Sequence, residues 1–382
     1  MKKLYWRPSK VSRTVLALVA LLSLAGIAAV ERLQKRTKQP YLKEKLAAAR
    51  LAQQALAVLK TERLHRQLPV DRELDPAETG LIGLAMSPIT SNSGLLASKQ
   101  TSANPNWAAV IVQMLKKAGV REGEAIAVGA SGSFPALNVA VYAAAQALKL
   151  KPVVVTSVSA SQFGANIPGF TWLDMEQVLF DRHVFSFRSV GASLGGVEDR
   201  GLGLSREGRA ALEEAIQRHG TTQIRPANYQ QSVEERMRLY TEHAGGTPIR
   251  AYINIGGGTA SVGTTLGKKL FRPGLNRTPP TGAAGLDAVM TRFITDGIPV
   301  IHMVQIARLA KRYGLPDQPA TIPTVGTGEI FYRQEYNEWL AGAVLAALLV
   351  VLYAFIRSDW GVRLLMATRR GKESAQPPQR MV

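Results

Sequence analysis

Two uncharged runs bracket the chain. TVLALVALLSLAGIAAV fills the 17 positions between Arg13 and Glu31, and WLAGAVLAALLVVLYAFI fills the 18 between Glu338 and Arg357. Each approaches the roughly 17–25 residues that a membrane-crossing helix needs, so the pattern predicts transmembrane helices over 14–31 and 337–357. Trp339 and Tyr353 stand towards the ends of the second run, where aromatic side chains favour the headgroup region. The first run also fits a cleaved signal peptide, with Lys2, Lys3 and Arg7 as its basic region. The second also fits a buried core helix.

Between the runs the pattern changes twice. Residues 41–68 are rich in Ala, Leu, Lys and Gln, all good helix formers. Leu42, Leu46, Ala49, Leu56 and Leu59 give the stretch an apolar face, and Pro69 ends it. It reads as a connecting helix within 32–74. From about Asp75 short apolar runs alternate with helical periodicity. A helix over 106–118 closes on Gly119, a favourable residue just past a helix end. A strand at 124–128, a helix over 136–148 and the β-branched run VVVTSV make one βαβ unit. Further strands are expected at 184–190, 251–255 and in PVIHM, with helices at 206–219, 285–295 and in VQIARLAKRYG. Ser232 and Glu235 have capping-box spacing for the helix that follows them. This alternation predicts an α/β domain over 75–314, a mainly parallel sheet with helices on both faces. The stretch 315–336 is then a linker.

Charge sets the expected orientation. Arg357, Arg363, Arg369, Arg370 and Lys372 follow the second run and only Arg333 closely precedes it. Basic flanks stay cytoplasmic, so tails 1–13 and 358–382 are expected in the cytoplasm and the main domain outside it. The net charge is +19, of which residues 1–14 carry +5 and residues 357–382 carry +4, leaving +10 between them. That surplus favours an anionic partner over a cationic one. No recognition motif points to nucleic acid. The chain has no cysteine, which removes disulfides, thiolate catalysis and cysteine metal sites. Its five histidines are dispersed, so no metal is expected.

Three glycine-rich stretches follow apolar runs: Gly129 to Ser133, Gly191 to Gly196 and Gly256 to Gly263. The second repeats the Val-Gly-Ala-Ser of the first. Ligands of open α/β sheets sit beyond the carboxyl ends of the strands, and glycine amides turned inward suit anions. The candidate ligand-binding residues are Gly129, Ser131, Gly132, Ser133 and Asn138; Gly191 and Ser193; and Asn254, Gly256, Gly257, Gly258 and Thr259. Neither a Walker loop nor a dinucleotide fingerprint is met, and no cofactor is expected. A nucleophile elbow is nearly met, because Gly129-Ala130-Ser131-Gly132-Ser133 lacks only the last glycine. Ser131 would then be the nucleophile, His302 the base, and Asp287 or Asp296 its orienting acid.

The layout, together with AVGASGSFPALN and YINIGGG, resembles the bacterial poly-γ-glutamate system protein family across essentially the whole chain. The resemblance implies an accessory membrane component of poly-γ-glutamate synthesis or export, working beside other membrane components, and assigns no catalytic residues. The leading expectation is a non-enzymatic protein that binds an anionic ligand or polymer. The alternative is an extracytoplasmic serine hydrolase or transferase acting on the polymer's amide bonds. A scaffold that binds nothing is a third. Ser131→Ala separates the first two when polymer production is measured: little changes under the binding reading, and activity is abolished under the hydrolase reading.

Overall fold

The computed structural model describes residues 13–263 and 265–357, so the expected tails lie outside the described residues except for Arg13. The chain divides into two compact units, Lys38–Arg333 and the segments on either side of it.

Seven strands build the sheet of the larger unit: β1 (Ala125–Ser131), β2 (Lys151–Ser157), β3 (Gly191–Ser193), β4 (Thr222–Ile224), β5 (Ile249–Ile255), β6 (Gly274–Asn276) and β7 (Val300–Met303). They lie in the order β4-β3-β2-β1-β5-β7-β6. Every pairing is parallel except β6 against β7, which makes the sheet mixed with one antiparallel edge. The chain winds outwards from β1 to β4 and then returns beside β1 as β5. The order therefore reverses between β1 and β5, where an open α/β sheet leaves a crevice at its carboxyl ends.

Alternation along the strands supplies both faces of the sheet. Ile126, Val128, Ile253 and Met303 join one core with the helices Leu42–His65, Trp107–Ala118 and Pro135–Ala147. Ala127, Val155, Tyr252 and Val300 face the other way, against Val233, Leu239 and Tyr240 of the helix Tyr229–His243 and Phe293 of Val289–Thr295. Pro135 opens its helix at the first turn, where the missing N–H costs nothing. Trp107–Ala118 closes on Gly119 at φ 89°, as the sequence predicts.

The helix Leu42–His65 is part of this core and not a spacer outside it. Ala48, Ala49, Ala52, Ala55, Leu56 and Leu59 are all buried. The small side chains bring it close to the alanine-rich Pro135–Ala147. At its two ends Lys45 Nζ donates to the Ile330 carbonyl (2.9 Å) and Arg63 Nη1 to the Gly80 and Ile82 carbonyls (3.0 and 2.6 Å). Ile330 and Phe331, expected in a linker, are buried in the same core.

Local expectations fail in several places, and the helix expected over 285–295 forms only over Val289–Thr295. The run 184–190 forms no strand. Its Phe185 and Phe187 rings instead surround Tyr142, with centroids 5.5 and 4.9 Å away. Pairing begins only at Val190, whose amide donates to Val154. The helix expected after Ser232 begins earlier, at Tyr229, because Asn228 Oδ1 accepts from the Gln231 amide (2.9 Å). Ser232 turns into the structure and donates to Asp199 (2.6 Å).

The smaller unit corrects the expectation of flanking transmembrane helices. Arg13–Arg32 and Glu338–Arg357 are helices of 20 residues each. They pack together so closely that a Cβ on Gly26 would stand 2.5 Å from Val344 Cγ1. Among the described residues, however, no helix is long and apolar enough to cross a membrane. At a rise of about 1.5 Å per residue the uncharged runs extend about 26–27 Å, short of a hydrocarbon core of about 30 Å.

Because Leu59 is fully buried and Leu64 is exposed on the same helix, Leu59→Ala should cost about 2–5 kcal/mol. Leu64→Ala should stay within about 0.5 kcal/mol. Denaturant unfolding of the two variants checks this; equal, small losses would show that the helix does not belong to the core.

Candidate functional site

Parallel register brings the strand ends into one row. Ser131 of β1 stands beside Ser157 of β2, and Ser157 beside Ser193 of β3. Across the reversal Asn254 of β5 pairs with Gly129 on one side and with His302 of β7 on the other. A cavity of about 440 Å³ opens over this row, walled by Ser131, Ser133, Ser157, Gly257, Gly258 and Thr259 among others. From β2 the chain runs on as Ser157-Val158-Ser159-Ala160-Ser161, and all three serines reach the cavity.

The expected residues divide into cavity wall and supporting frame. Asn138 is buried, and its Oδ1 accepts from the Ser131 amide (3.4 Å) while its Nδ2 donates to the Ser131 carbonyl (2.9 Å). It thereby clamps the end of β1. Ser131 Oγ accepts from the Ser133 amide (3.2 Å). Gly129 lies inside β1, where a Cβ would meet the Tyr252 hydroxyl at 2.4 Å, and Gly132 lies under the Val158 carbonyl at 2.4 Å. Gly191 packs on Leu239. Gly256 turns at φ 83° above Ser131, to which its Cβ would come within 3.8 Å. After it the amides of Gly257, Gly258 and Thr259 donate to nothing among the described residues.

His302 and Ser131 both line the cavity. His302 is 1% exposed, and burial pulls it from 6.5 to about 4, so it is neutral at neutral pH. Asn254 Nδ2 donates to the Gly256 carbonyl (2.7 Å) and to His302 Nδ1 (3.0 Å), which leaves the ring proton on Nε2. No hydrogen bond joins His302 to Ser131 among the described residues. Asp287 pairs with Arg292 (2.7 Å). Asp296 lines a separate cleft with Arg121 and Glu124. The orienting position on His302 is therefore held by an amide and not a carboxylate. Among the described residues no cluster of three or more His, Cys, Asp or Glu side chains is set to hold a metal.

Two arrangements at the cavity were not anticipated from the sequence. The first is a buried ion pair. Asp199, at φ 64°, accepts from Arg236 Nε (2.8 Å), Arg236 Nη2 (3.0 Å) and the hydroxyls of Ser157, Ser193 and Ser232 (3.2, 2.5 and 2.6 Å). Arg236 Nη2 also donates to Ser157 and Ser193 (2.9 and 2.7 Å). Every polar atom of the carboxylate is satisfied, which is what a charge buried this deeply requires.

The second is Lys99, on the helix Leu96–Ser102. It is 3% exposed. Nζ donates to Ser161 Oγ (2.7 Å) and to the Ser133 carbonyl, and stands 3.9 Å from the centroid of the Phe134 ring. The Ser161 amide in turn donates to Ser133 Oγ (3.0 Å). No carboxylate forms an ion pair with Lys99 among the described residues. Burial lowers it from 10.5 to about 7, because a desolvated ammonium is disfavoured. Ser159, on the same cavity wall, is buried with its Oγ unpartnered among the described residues. Ser157, Ser159 and Ser161 alternate in the sequence, a period that places them on one side of an extended chain and was a legible signal. Lys99 carried none.

The chain matches no protein-family model, no curated protein and no solved structure.

Two measurements test the site's electrostatics. The lowered value of Lys99 means that the folded chain releases this proton more readily than the unfolded chain, so its stability rises with pH between about 7 and 10.5. Lys99→Met abolishes that slope: thermal unfolding should move in the variant's favour as pH falls from about 9 to about 6. Asp199→Ala strands the Arg236 charge and should cost about 3–5 kcal/mol in denaturant unfolding.

Proposed function

We propose that the larger unit binds a carboxylate-bearing anion in the cavity at the carboxyl edge of its sheet. Poly-γ-glutamate is the ligand we put forward, and the chain acts as an accessory component of that polymer's synthesis or export. One observation carries the reading: Lys99 lies in the cavity wall with no carboxylate partner among the described residues. A buried ammonium is costly until a counter-charge arrives, and an anionic ligand supplies it. The amides of Gly257, Gly258 and Thr259 and the Ser159 hydroxyl, which have no partner among the described residues, offer the neutral donors such an anion needs. The +10 between the two terminal segments favours approach of a polyanion. The choice of polymer rests on the resemblance carried by AVGASGSFPALN and YINIGGG.

Calorimetric titration of the full-length chain with a γ-linked glutamate trimer tests this. Binding should weaken with salt, because the charge on the ligand is screened. An anion beside Lys99 raises the affinity of its amine for a proton, so binding at about pH 8 should take up a proton and should weaken as pH rises further. Lys99→Met should lose at least about tenfold in affinity, or about 1.4 kcal/mol. No heat with the parent chain, or equal heat with the variant, removes the reading.

A further inference from the structure

The buried polar groups of the larger unit differ in what they leave unused. Asp199 and Arg236 are paired with each other and with serine hydroxyls. Glu176 is held by the Tyr142 and Ser189 hydroxyls, and Asp174 by Thr171, Arg218 and His219. His302 is buried and neutral against an amide. Among the described residues, Lys99 and Ser161 alone combine an amine, a hydroxyl within direct reach and a cavity wall shared by both.

We propose that Ser161 and Lys99 are a nucleophile and base that transfer acyl groups, hydrolysing an ester or amide bound in this cavity. The inference rests on the reading of the cavity as a ligand site and adds a reaction to it. The geometry supplies the parts that a hydroxyl nucleophile requires. Lys99 Nζ is 2.7 Å from Ser161 Oγ, within the reach of direct proton transfer. A third group orients the base: the Ser133 carbonyl accepts a second N–H of Nζ, and the Phe134 ring covers one side of it. The neutral amine keeps that N–H on the carbonyl and turns its lone pair to Ser161. The nucleophile is also held, since its amide donates to Ser133 Oγ. Burial brings Lys99 to about 7, where much of it is neutral at physiological pH. The pairing of a serine with a lysine base is one of the known variants of the serine–histidine arrangement.

The step balances with water as the only co-reactant. Ser161 Oγ bonds to the acyl carbon as its proton passes to Lys99 Nζ and the carbonyl electron pair moves onto oxygen. The tetrahedral adduct then collapses, the bond to the leaving oxygen or nitrogen breaks, and Lys99 gives that atom the proton. Water attacks the acyl-serine while Lys99 takes one of its protons, and the proton returns to Ser161 Oγ as the acid departs. The overall change is acyl compound plus water to acid plus alcohol or amine.

A fluorophosphonate probe tests the pair on the full-length chain, because serine displaces its fluoride in a single step. Intact mass should show one adduct, peptide mapping of the parent chain should place it on Ser161, and the labelling rate should rise as pH passes through about 7. Lys99→Met should slow labelling by at least about 10²-fold, and Lys99→Arg should not restore it. Hydrolysis of p-nitrophenyl acetate should follow the same order. An adduct on Ser131 in place of Ser161, or equal labelling of the Lys99→Met chain, overturns the inference. No adduct on a chain that still binds the γ-glutamate trimer overturns it and leaves the binding reading in place. No adduct and no binding on a chain with unaltered thermal unfolding removes both.

Discussion

Parallel strands covered by helices on both faces leave little sheet surface to solvent, and the architecture depends on that burial. Ile126, Val128, Ile253 and Met303 commit one face and Ala127, Val155, Tyr252 and Val300 the other, so only the strand ends remain for polar chemistry. Parallel pairing makes those ends finish together. Ser131, Ser157 and Ser193 then stand side by side, and the reversal between β1 and β5 opens the space above them. The cavity is thus a consequence of the winding of the chain.

The polar groups at that edge follow two designs. Asp199 and Arg236 bring complete charges into the interior and satisfy them with each other and with three hydroxyls. That network ties Ser157 of β2, Ser193 of β3 and the helix Tyr229–His243 into one frame. Lys99 is buried to a similar depth, and its contacts are a hydroxyl, a carbonyl and a ring with no carboxylate among the described residues. The first arrangement is closed, whereas the second has no carboxylate partner among the described residues, and burial lowers the pKa of its amine. Function is better sought where a buried charge is unmatched than where it is paired.

Substitution at the edge is tightly limited by packing. Gly129 and Gly132 sit where a methyl group would meet the Tyr252 hydroxyl and the Val158 carbonyl, so both glycines serve close approach and not flexibility. Asn138 binds both sides of the Ser131 peptide, which holds the strand end rigid beneath the cavity. Several residues that attract notice as ligand contacts are therefore the frame that sets the contacts in place.

Local pattern determined much of this protein. The apolar periodicity of 107–118, 136–147 and 251–255 marks helix and strand because it reflects which side is buried, and Gly119 ends its helix by a preference local to one residue. The α/β alternation and the row at the strand ends were legible for the same reason. Other features depended on contacts between distant segments. The aromatic run at 184–190 has strand-like composition, yet its rings fill the space around Tyr142. The helix Leu42–His65 has the composition of a spacer, yet its alanines meet those of Pro135–Ala147. Lys99 and Ser161 are 62 positions apart, and nothing near either one announces the other. Tertiary structure decided their meeting, because the burial that lowers Lys99 comes from side chains supplied by separate segments, and only the folded chain brings them within 3 Å.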